Sequence, residues 1–330
     1  MSVEISVLPK RDAHELVKLF DVVWGEGQHH SAHARWALQS NPVGNGPIVI
    51  ARDGNMLVAS RASIRWPFQA ANGYRPIVYQ LTGTCVHPDY RRRGLFSEVN
   101  RYFLDMIASP IDRPTVFNIS VEASRKGYEK LGWNYIPGLR RNIRIARPKS
   151  FFSKILRSPR NLRAETQLIP TKLKHSLTPF EKLIELARRR EELLKTRHHT
   201  YYDAEVYEWR YSKYEHIYRD VFIPGVGWCV YKLFQRGNLV EAEIGDIWLN
   251  KNSPLAMRAL LAKIVSRDLP DIFTVVISRG HPLRKHLWVN GFAPDPKGDL
   301  NFGVRLVDER SSNLEQLRTW AIMTETLDTF

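Results

Sequence analysis

Thr84-Cys-Val-His-Pro-Asp-Tyr-Arg-Arg-Arg-Gly-Leu-Phe-Ser97 is the stretch on which the reading of this chain turns. An apolar, β-branched run from Ile77 to Val86 stops at His87-Pro88. A basic loop and a glycine follow, and then Leu95, Val99, Phe103 and Met106 recur at helical spacing. The pattern reads as a strand, a phosphate-sized loop and a helix. Glycine at such a junction lets backbone N–H groups approach an anion, and the helix start adds partial positive charge. Arg91, Arg92 and Arg93 supply full charges beside it. The bland alternative is a basic turn ahead of an ordinary surface helix.

Elements on either side extend the pattern. Glu4 to Leu8 reads as a strand, and Asp12 to Val23 as a helix with Leu16, Leu19 and Phe20 on one face. A loop from Trp24 to Ser31 leads to a second helix, Ala32 to Gln39, which Asn41-Pro42 ends. Ile48 to Ala51 and Met56 to Ile64 flank Arg52-Asp53-Gly54-Asn55, a hairpin turn whose Gly and Asn tolerate positive φ. Tyr74 to Val86 is a long strand, and Thr115 to Ile119 another. Strands near Trp133 to Ile136 and Arg141 to Ile145 are expected to close this first domain.

Val86-x-Pro88-x-x-Arg91-x-x-Gly94 resembles the acyl-CoA pyrophosphate loop of the GNAT N-acetyltransferase superfamily, whose usual form is Arg/Gln-x-x-Gly-x-Gly/Ala. Arg91, Gly94 and Phe96 occupy its three positions; Phe96 departs from the small last residue, so only Gly94 offers an unhindered approach. Ser124-Arg-Lys-Gly127-Tyr128-Glu-Lys130-Leu131-Gly132-Trp133 is similar to the family's Tyr-x-Lys-x-Gly-Phe/Trp segment. The resemblance implies an α/β fold, a mixed and mostly antiparallel GNAT sheet flanked by helices, over residues 1–146. It implies acetyl-CoA as co-substrate, its pyrophosphate on the loop from Arg91 to Ser97 (Arg91, Arg92, Arg93, Gly94, Leu95, Phe96, Ser97). It also implies a pantetheine arm paired with backbone near Cys85 and Val86, and Tyr128 as the acid that protonates the leaving thiolate. The family's cofactor-contacting asparagine is replaced by Val121, which leaves Asn118 as its stand-in.

The second half reads as a diverged copy. Tyr207-Glu-Trp209 echoes Ala34-Arg-Trp36 near a helix end, and Gln235-Arg-Gly-Asn238 forms another hairpin turn between apolar runs. Arg284-Lys285 through Gly291-Phe292 align with Arg125-Lys126 through Gly132-Trp133 at a constant offset of 159. The motif position there is Trp248-Leu-Asn-Lys-Asn-Ser-Pro-Leu, with no basic triplet and no glycine. The expected architecture is therefore tandem: a GNAT domain at 1–146, a basic linker at 147–200, and a degenerate GNAT-like α/β domain at 201–330. Only the first copy is expected to bind acyl-CoA.

Composition narrows the classes. The 330 residues are 43% hydrophobic and carry a net charge of +15. Residues 141–200 hold sixteen Lys/Arg against five Asp/Glu, so +11 of that charge lies in the linking segment. Three readings stay open for it: a docked linker helix, a basic amphipathic helix on an anionic membrane surface, or a nucleic-acid contact. No nucleic-acid reading motif accompanies the charge. No run approaches a membrane span, and no basic-then-apolar leader opens the chain. The two cysteines, Cys85 and Cys229, read as reduced buried thiols without metal-ligand spacing, and the expected location is cytoplasmic, peripheral to the inner membrane face under the membrane reading.

The expected chemistry is acetyl transfer to an amine of a small or sugar-like acceptor. Glu26, His29 and His30, in the loop after the first helix, are acceptor-site candidates, because His titrates near neutrality and a carboxylate can act through water. Trp24, Trp36, Trp209 and Tyr211 are candidates to line the acceptor cleft. Two other classes fit the same residues: a peptidyltransferase-like protein that takes its donor from an aminoacyl-tRNA, and a non-catalytic acyl-CoA-binding module.

Overall fold

The computed structural model of the chain describes residues 3–26, 28–71, 73–108, 114–170, 177–211, 217–306 and 319–327, with 28–30, 162–163 and 306 described by their backbone alone. The first half contains β1 (Val3–Val7), α1 (Glu15–Trp24), α2 (Gln28–Leu38), β2 (Ile48–Asp53) and β3 (Met56–Arg65). After them come β4 (Phe68–Gln69), β5 (Val78–Val86), α3 (Leu95–Ile107), β6 (Thr115–Ile119), α4 (Glu122–Glu129), β7 (Asn134–Tyr135) and β8 (Leu139–Ile145). The second half opens with α5 (Pro148–Arg157), β9 (Thr166–Leu168), α6 (Ile184–Leu194), β10 (His199–Thr200) and α7 (Ala204–Tyr211). It continues with β11 (Arg219–Ile223), β12 (Gly227–Arg236), β13 (Leu239–Leu249), α8 (Pro254–Asp268), β14 (Ile272–Ser278), α9 (Arg284–Val289), β15 (Ala293–Asp299) and β16 (Phe302–Leu306).

These strands build two mixed sheets of the same design. The first runs β1-β2-β3-β5-β6-β16-β7, and the second runs β11-β12-β13-β14-β8-β15 with β9 added alongside β12. Each is antiparallel except for one parallel pair, β5 with β6 and β13 with β14. The two halves have exchanged a strand. β8, expected to close the first sheet, instead pairs with β14 from Leu139↔Ser278 to Ile145↔Ile272. Its place beside β6 is taken by β16, from Phe302↔Ile119 to Leu306↔Thr115.

Side chains specify the exchange where backbone pairing alone does not. Arg141 on β8 bonds the buried Glu241 of β13, which also accepts from Arg236 and Thr274. On β16, Gly303 lies flat beneath Trp133, where an added Cβ would meet the indole at 3.1 Å. Phe302 and Val304 are buried in the core of the first lobe.

The sheets share a core that crosses the sequence halves. Trp36 of α2 and Trp209 of α7 occupy corresponding positions in the two copies. Their rings stack with centroids 4.8 Å apart and planes 9° from parallel. Each indole N–H donates to the other tryptophan's carbonyl, at 2.8 and 3.0 Å. Trp66 meets Trp209 edge-on, and the buried Arg210 guanidinium lies over the rings of Trp36 and Trp66. The segment 319–327 threads between the lobes; Trp320 packs on Phe68, Phe117 and Phe302, while Arg210 donates to the carbonyls of Glu325 and Leu327.

The basic linking segment contributes two docked helices: α6 buries Leu186, Ala187, Arg190 and Leu194, and α5 is held by polar side chains. Arg147, Ser150 and Lys154 all bond the carboxylate of Asp271, which is fully buried. Phe151 and Ile155 are half-buried by that docking, whereas Phe152 and Leu156 remain exposed. The four apolar residues of α5 are thus divided between a docked side and an exposed one. Among the described residues, no helix is long and apolar enough to cross a membrane.

Because β16 completes the first sheet, residues 1–146 lack the strand that covers the open edge of β6. That fragment, expressed alone, is expected to give a broad, non-cooperative thermal melt, while the whole chain unfolds in one transition. A sharp, reversible melt of the fragment near the temperature of the whole chain would show that the exchange is dispensable.

Candidate active site

The parallel pair β5–β6 is joined only at its start. Val78, Tyr79 and Gln80 pair with Thr115, Val116 and Phe117, and beyond them the strands part. β5 is also irregular at this point: between the Ala62–Thr82 and Ser60–Cys85 pairs it carries Gly83 and Thr84 against Arg61 alone. Gly83, at φ 56°, takes the bulge conformation that a side chain disfavours. The result is a wedge in the sheet, with α3 and α4 on one face and α1 and α2 on the other.

The loop found by sequence sits at the mouth of this wedge. Tyr90, whose hydroxyl donates to Asp53 at 2.7 Å, anchors it to the β2–β3 turn. Arg93 is spent on holding the loop: it donates to Asp89 O at 2.9 Å and lies over the Tyr90 ring. Arg92 (φ 63°) and Gly94 (φ 85°) both adopt positive φ. The amide of Arg91 bonds Pro88 O and that of Ser97 bonds Gly94 O, so neither is free. Among the described residues, the amides of residues 92–96 have no acceptor, and the side chains of Arg91 and Arg92 are exposed. The cradle is therefore two residues shorter than the sequence suggested, but it is open. Glu98 in the first turn of α3 points back over it, with Oε1 3.3 Å from where a Gly94 side chain would begin.

On the α3/α4 face, Tyr128 is 2% exposed and packed against Trp133, the rings tilted by 58° with centroids 5.0 Å apart. Phe96 meets it edge-on at 5.2 Å and presses so near Gly127 that a Cβ there would lie 2.6 Å from the ring. The bulky Phe96 of the loop motif is thus accommodated by a glycine on α4. The Tyr128 hydroxyl accepts a hydrogen bond from Arg61 of β3, a residue the sequence reading passed over. Its signal was available: one charged residue inside the otherwise apolar or small run from Met56 to Ile64. Asn118 is half-buried just past the last β5–β6 pair, and its backbone pairs with Gly303. Leu95 packs into the core, Val86 is half-buried, and burial pushes the Cys85 thiol up to about 11, which leaves it unsuited to nucleophilic work.

The α1/α2 face differs from expectation. Glu26 is exposed, and His29 and His30 lie on the backbone of α2 with side chains outside the described residues. His33, one turn further along α2, reaches the wedge: its Nε2 lies 3.0 Å from the Thr82 hydroxyl. It shares a helix face with Trp36, three residues on, a spacing that sequence periodicity could have shown. The expected aromatic cleft is closed. Trp36, Trp209 and Tyr211 are 3, 4 and 6% exposed and form packed core, while Trp24 lies outside at 53%.

The second copy keeps the wedge but not the equipment. β13 and β14 pair only from Glu241↔Ile272 to Glu243↔Thr274. Trp248, His281 and Leu283 line a cavity of only about 10 Å³ beside the end of β13, near the volume of a single water. The start of α8 is capped by its own chain, since Ser253 Oγ accepts from Leu255 N at 3.2 Å and Pro254 has no N–H. Leu287 stands where the offset of 159 places Tyr128.

Residues 4–136 match the family model described as an acetyltransferase (GNAT) domain. Nothing among the curated proteins matches the chain in sequence. Solved structures match it over both lobes. A GCN5-related N-acetyltransferase from Kribbella flavida is 16% identical with a TM-score of 0.62, over 96% of this chain and 74% of that one. Eis1 from Mycobacterium abscessus is 16% identical with a TM-score of 0.58, over 96% and 76%. The N-myristoyltransferase of Saccharomyces cerevisiae, solved with bound myristoyl-CoA, is 14% identical with a TM-score of 0.56, over 92% and 82%. At such identities these structures speak for the fold. The chain carries a GNAT acetyltransferase domain and is an acyltransferase.

Gly94→Glu tests the cradle, because it places a carboxylate among the free amides and a side chain at φ 85°. Acetyl-CoA at about millimolar concentration is expected to raise the melting temperature of the parent and not that of the variant. A parent that does not respond, or a variant that responds equally, would remove the loop from coenzyme binding.

Proposed function

We propose that the chain is an acetyl-CoA-dependent N-acetyltransferase that modifies an amine of a small or sugar-like acceptor. The observation that carries the reading is the row of unbonded amides at residues 92–96, standing at the mouth of the β5–β6 wedge. A pyrophosphate needs several convergent donors, and a pantetheine arm needs strand edges left free of each other; both requirements meet here. Arg91 and Arg92 add exposed positive charge on the same rim.

In this reading the coenzyme enters the wedge with its thioester near Thr84 and Tyr128. The acceptor amine attacks the carbonyl from the α1/α2 side. His33, beside Thr82, is the group nearest in kind to a base for that amine and supersedes Glu26 as the candidate. Tyr128 donates its phenolic proton to the departing sulfur. The phenol can do so because its oxygen already accepts from Arg61, while its proton has no acceptor among the described residues. The open cradle favours a pyrophosphate-bearing donor over an aminoacyl-tRNA, and a buried acid beside the wedge favours catalysis over simple coenzyme binding. Peripheral membrane contact is the lesser proposal, resting on the exposed Phe152 and Leu156 of α5.

Tyr128→Phe is expected to lower kcat for thiol release from acetyl-CoA more than about tenfold, with acetyl-CoA affinity nearly unchanged. The measurement is thiol release across a panel of amino sugars and aliphatic amines. Equal kcat in parent and variant would take the acid role from Tyr128. His33→Ala is expected to lower kcat/KM for the amine most strongly at the acid end of the pH range, where amine deprotonation limits the rate. A uniform loss at every pH would instead assign His33 to packing against Thr82 and Trp36.

A further inference from the structure

Arg61 is a fully buried guanidinium that forms no ion pair with a carboxylate among the described residues. Its Nε donates to Asn100 Oδ1 at 2.8 Å and its Nη2 to the Tyr128 hydroxyl. Its Nη1 is buried and has no acceptor among the described residues. Asn100 is itself fixed, because its amide donates to Phe96 O at 2.6 Å inside the first turns of α3. A cation removed from water without a counter-charge is destabilising, and an orphaned buried donor adds to that cost. Methionine or leucine would fill the same space in the apolar face shared by Leu81, Leu95, Val99 and Trp133 at no such cost. The guanidinium is explained if its missing partner arrives with a ligand.

The position restricts what that ligand atom can be. It must reach the buried Nη1 of Arg61 beside the Tyr128 hydroxyl; Thr84, Val86, Phe96 and Asn118, on the elements around these two residues, are half-buried rather than sealed in the core. The phenol O–H and the guanidinium belong to side chains already bonded to each other, with Phe96 and Trp133 packed on the phenol ring. A small, polarisable monoanion suits such a place. The pyrophosphate has its own cradle at residues 92–96, outside this pocket. A thioester needs no counter-charge while intact, but one negative charge appears when its C–S bond breaks.

We propose that Arg61 Nη1, together with the Tyr128 hydroxyl, forms a binding site for the coenzyme's sulfur as a thiolate. This rests on the acyl-CoA reading given above and adds a residue and a charge state to it. In the transfer, the amine lone pair forms the new C–N bond and the C–S bond breaks. Its electron pair stays on sulfur, held against the guanidinium. The Tyr128 proton then passes to that sulfur, and the proton lost by the acceptor nitrogen restores the phenol through solvent. The guanidinium therefore stabilises charge twice, on sulfur as it leaves and on the phenolate oxygen that briefly follows.

The test needs no acceptor. Calorimetric titration of the whole chain with coenzyme A and with dethio-coenzyme A, which lacks the sulfur, is made from about pH 6.5 to about pH 9, across the thiol pKa near 8.5. The titratable groups facing Arg61 are Tyr128 from α4 and Cys85 from β5, while α3 offers only the amide of Asn100. Cys85, pushed up to about 11, stays a thiol over this range, and dethio-coenzyme A controls for every titration of the protein itself.

In the parent, coenzyme A is expected to gain about tenfold in affinity over dethio-coenzyme A as pH rises, the ratio produced when a bound thiol's pKa falls from about 8.5 to about 7.5. Arg61→Gln is expected to erase that gain while binding dethio-coenzyme A within about twofold of the parent. Arg61→Lys, which keeps the charge without the fork, should retain part of it. Parent affinities for the two compounds that stay parallel across the pH range would overturn the inference without any variant. So would a gain preserved in Arg61→Gln. If neither compound binds the parent, the coenzyme reading itself fails and this inference falls with it; binding of both without divergence sinks only the thiolate site.

Discussion

The exchange of β8 and β16 between the two sheets governs the rest of this structure. Each sheet is completed by a strand from the other half of the chain, so neither lobe has a finished edge until both are made. Contacts of long sequence separation follow from this: the ladder of Leu139 to Ile145 against β14, and the cover that Phe302 to Leu306 gives β6. The Trp36–Trp209 pair lies at the centre of the same arrangement, with two reciprocal hydrogen bonds satisfying both indoles in a dry core. The lobes are consequently fixed relative to each other by covalent topology as well as by packing.

That fixity matters for the wedge between β5 and β6. A gap in a sheet leaves backbone groups without strand partners, and such groups are costly to bury. Here β16 covers the far side of β6, and the bulge at Gly83 and Thr84 bends β5 away, so the opening is confined to one place. The same lobe carries a row of free amides, a buried phenol with an undirected proton, and a guanidinium with a vacant donor. Each is a local departure from satisfied packing, and their coincidence at one opening is the physical signature of a site rather than of a defect.

Comparison of the copies within one chain separates scaffold from chemistry. Both lobes keep the parallel pair, the helix that follows it and the exchanged strand. At the first helix start a glycine leaves the amides free; at the second, Ser253 and Pro254 consume or lack them. Tyr128 is answered by Leu287, and the buried Trp248 and Leu283 of the second lobe line only a cavity of about 10 Å³. Structure common to both copies is what the fold requires. What the first copy alone retains is what the proposed acyl transfer would use.

The sequence by itself determined the local grammar: the glycine-ended basic loop before an amphipathic helix, the Tyr128 to Trp133 segment, the hairpin turns, and the degenerate second copy. These are written in short-range spacing and in residue types with few conformational options, so one chain suffices to read them. The tertiary structure alone decided which sheet β8 joins, because Arg141 to Ile145 alternates identically whichever partner it meets, and strand pairing is a property of backbone that all sequences share. It likewise turned the expected cleft of Trp36, Trp209 and Tyr211 into core, and brought Arg61 and His33 to the wedge in place of Glu26. Those outcomes depend on where side chains distant in sequence converge, and on the burial that convergence creates. No spacing along the chain encodes it.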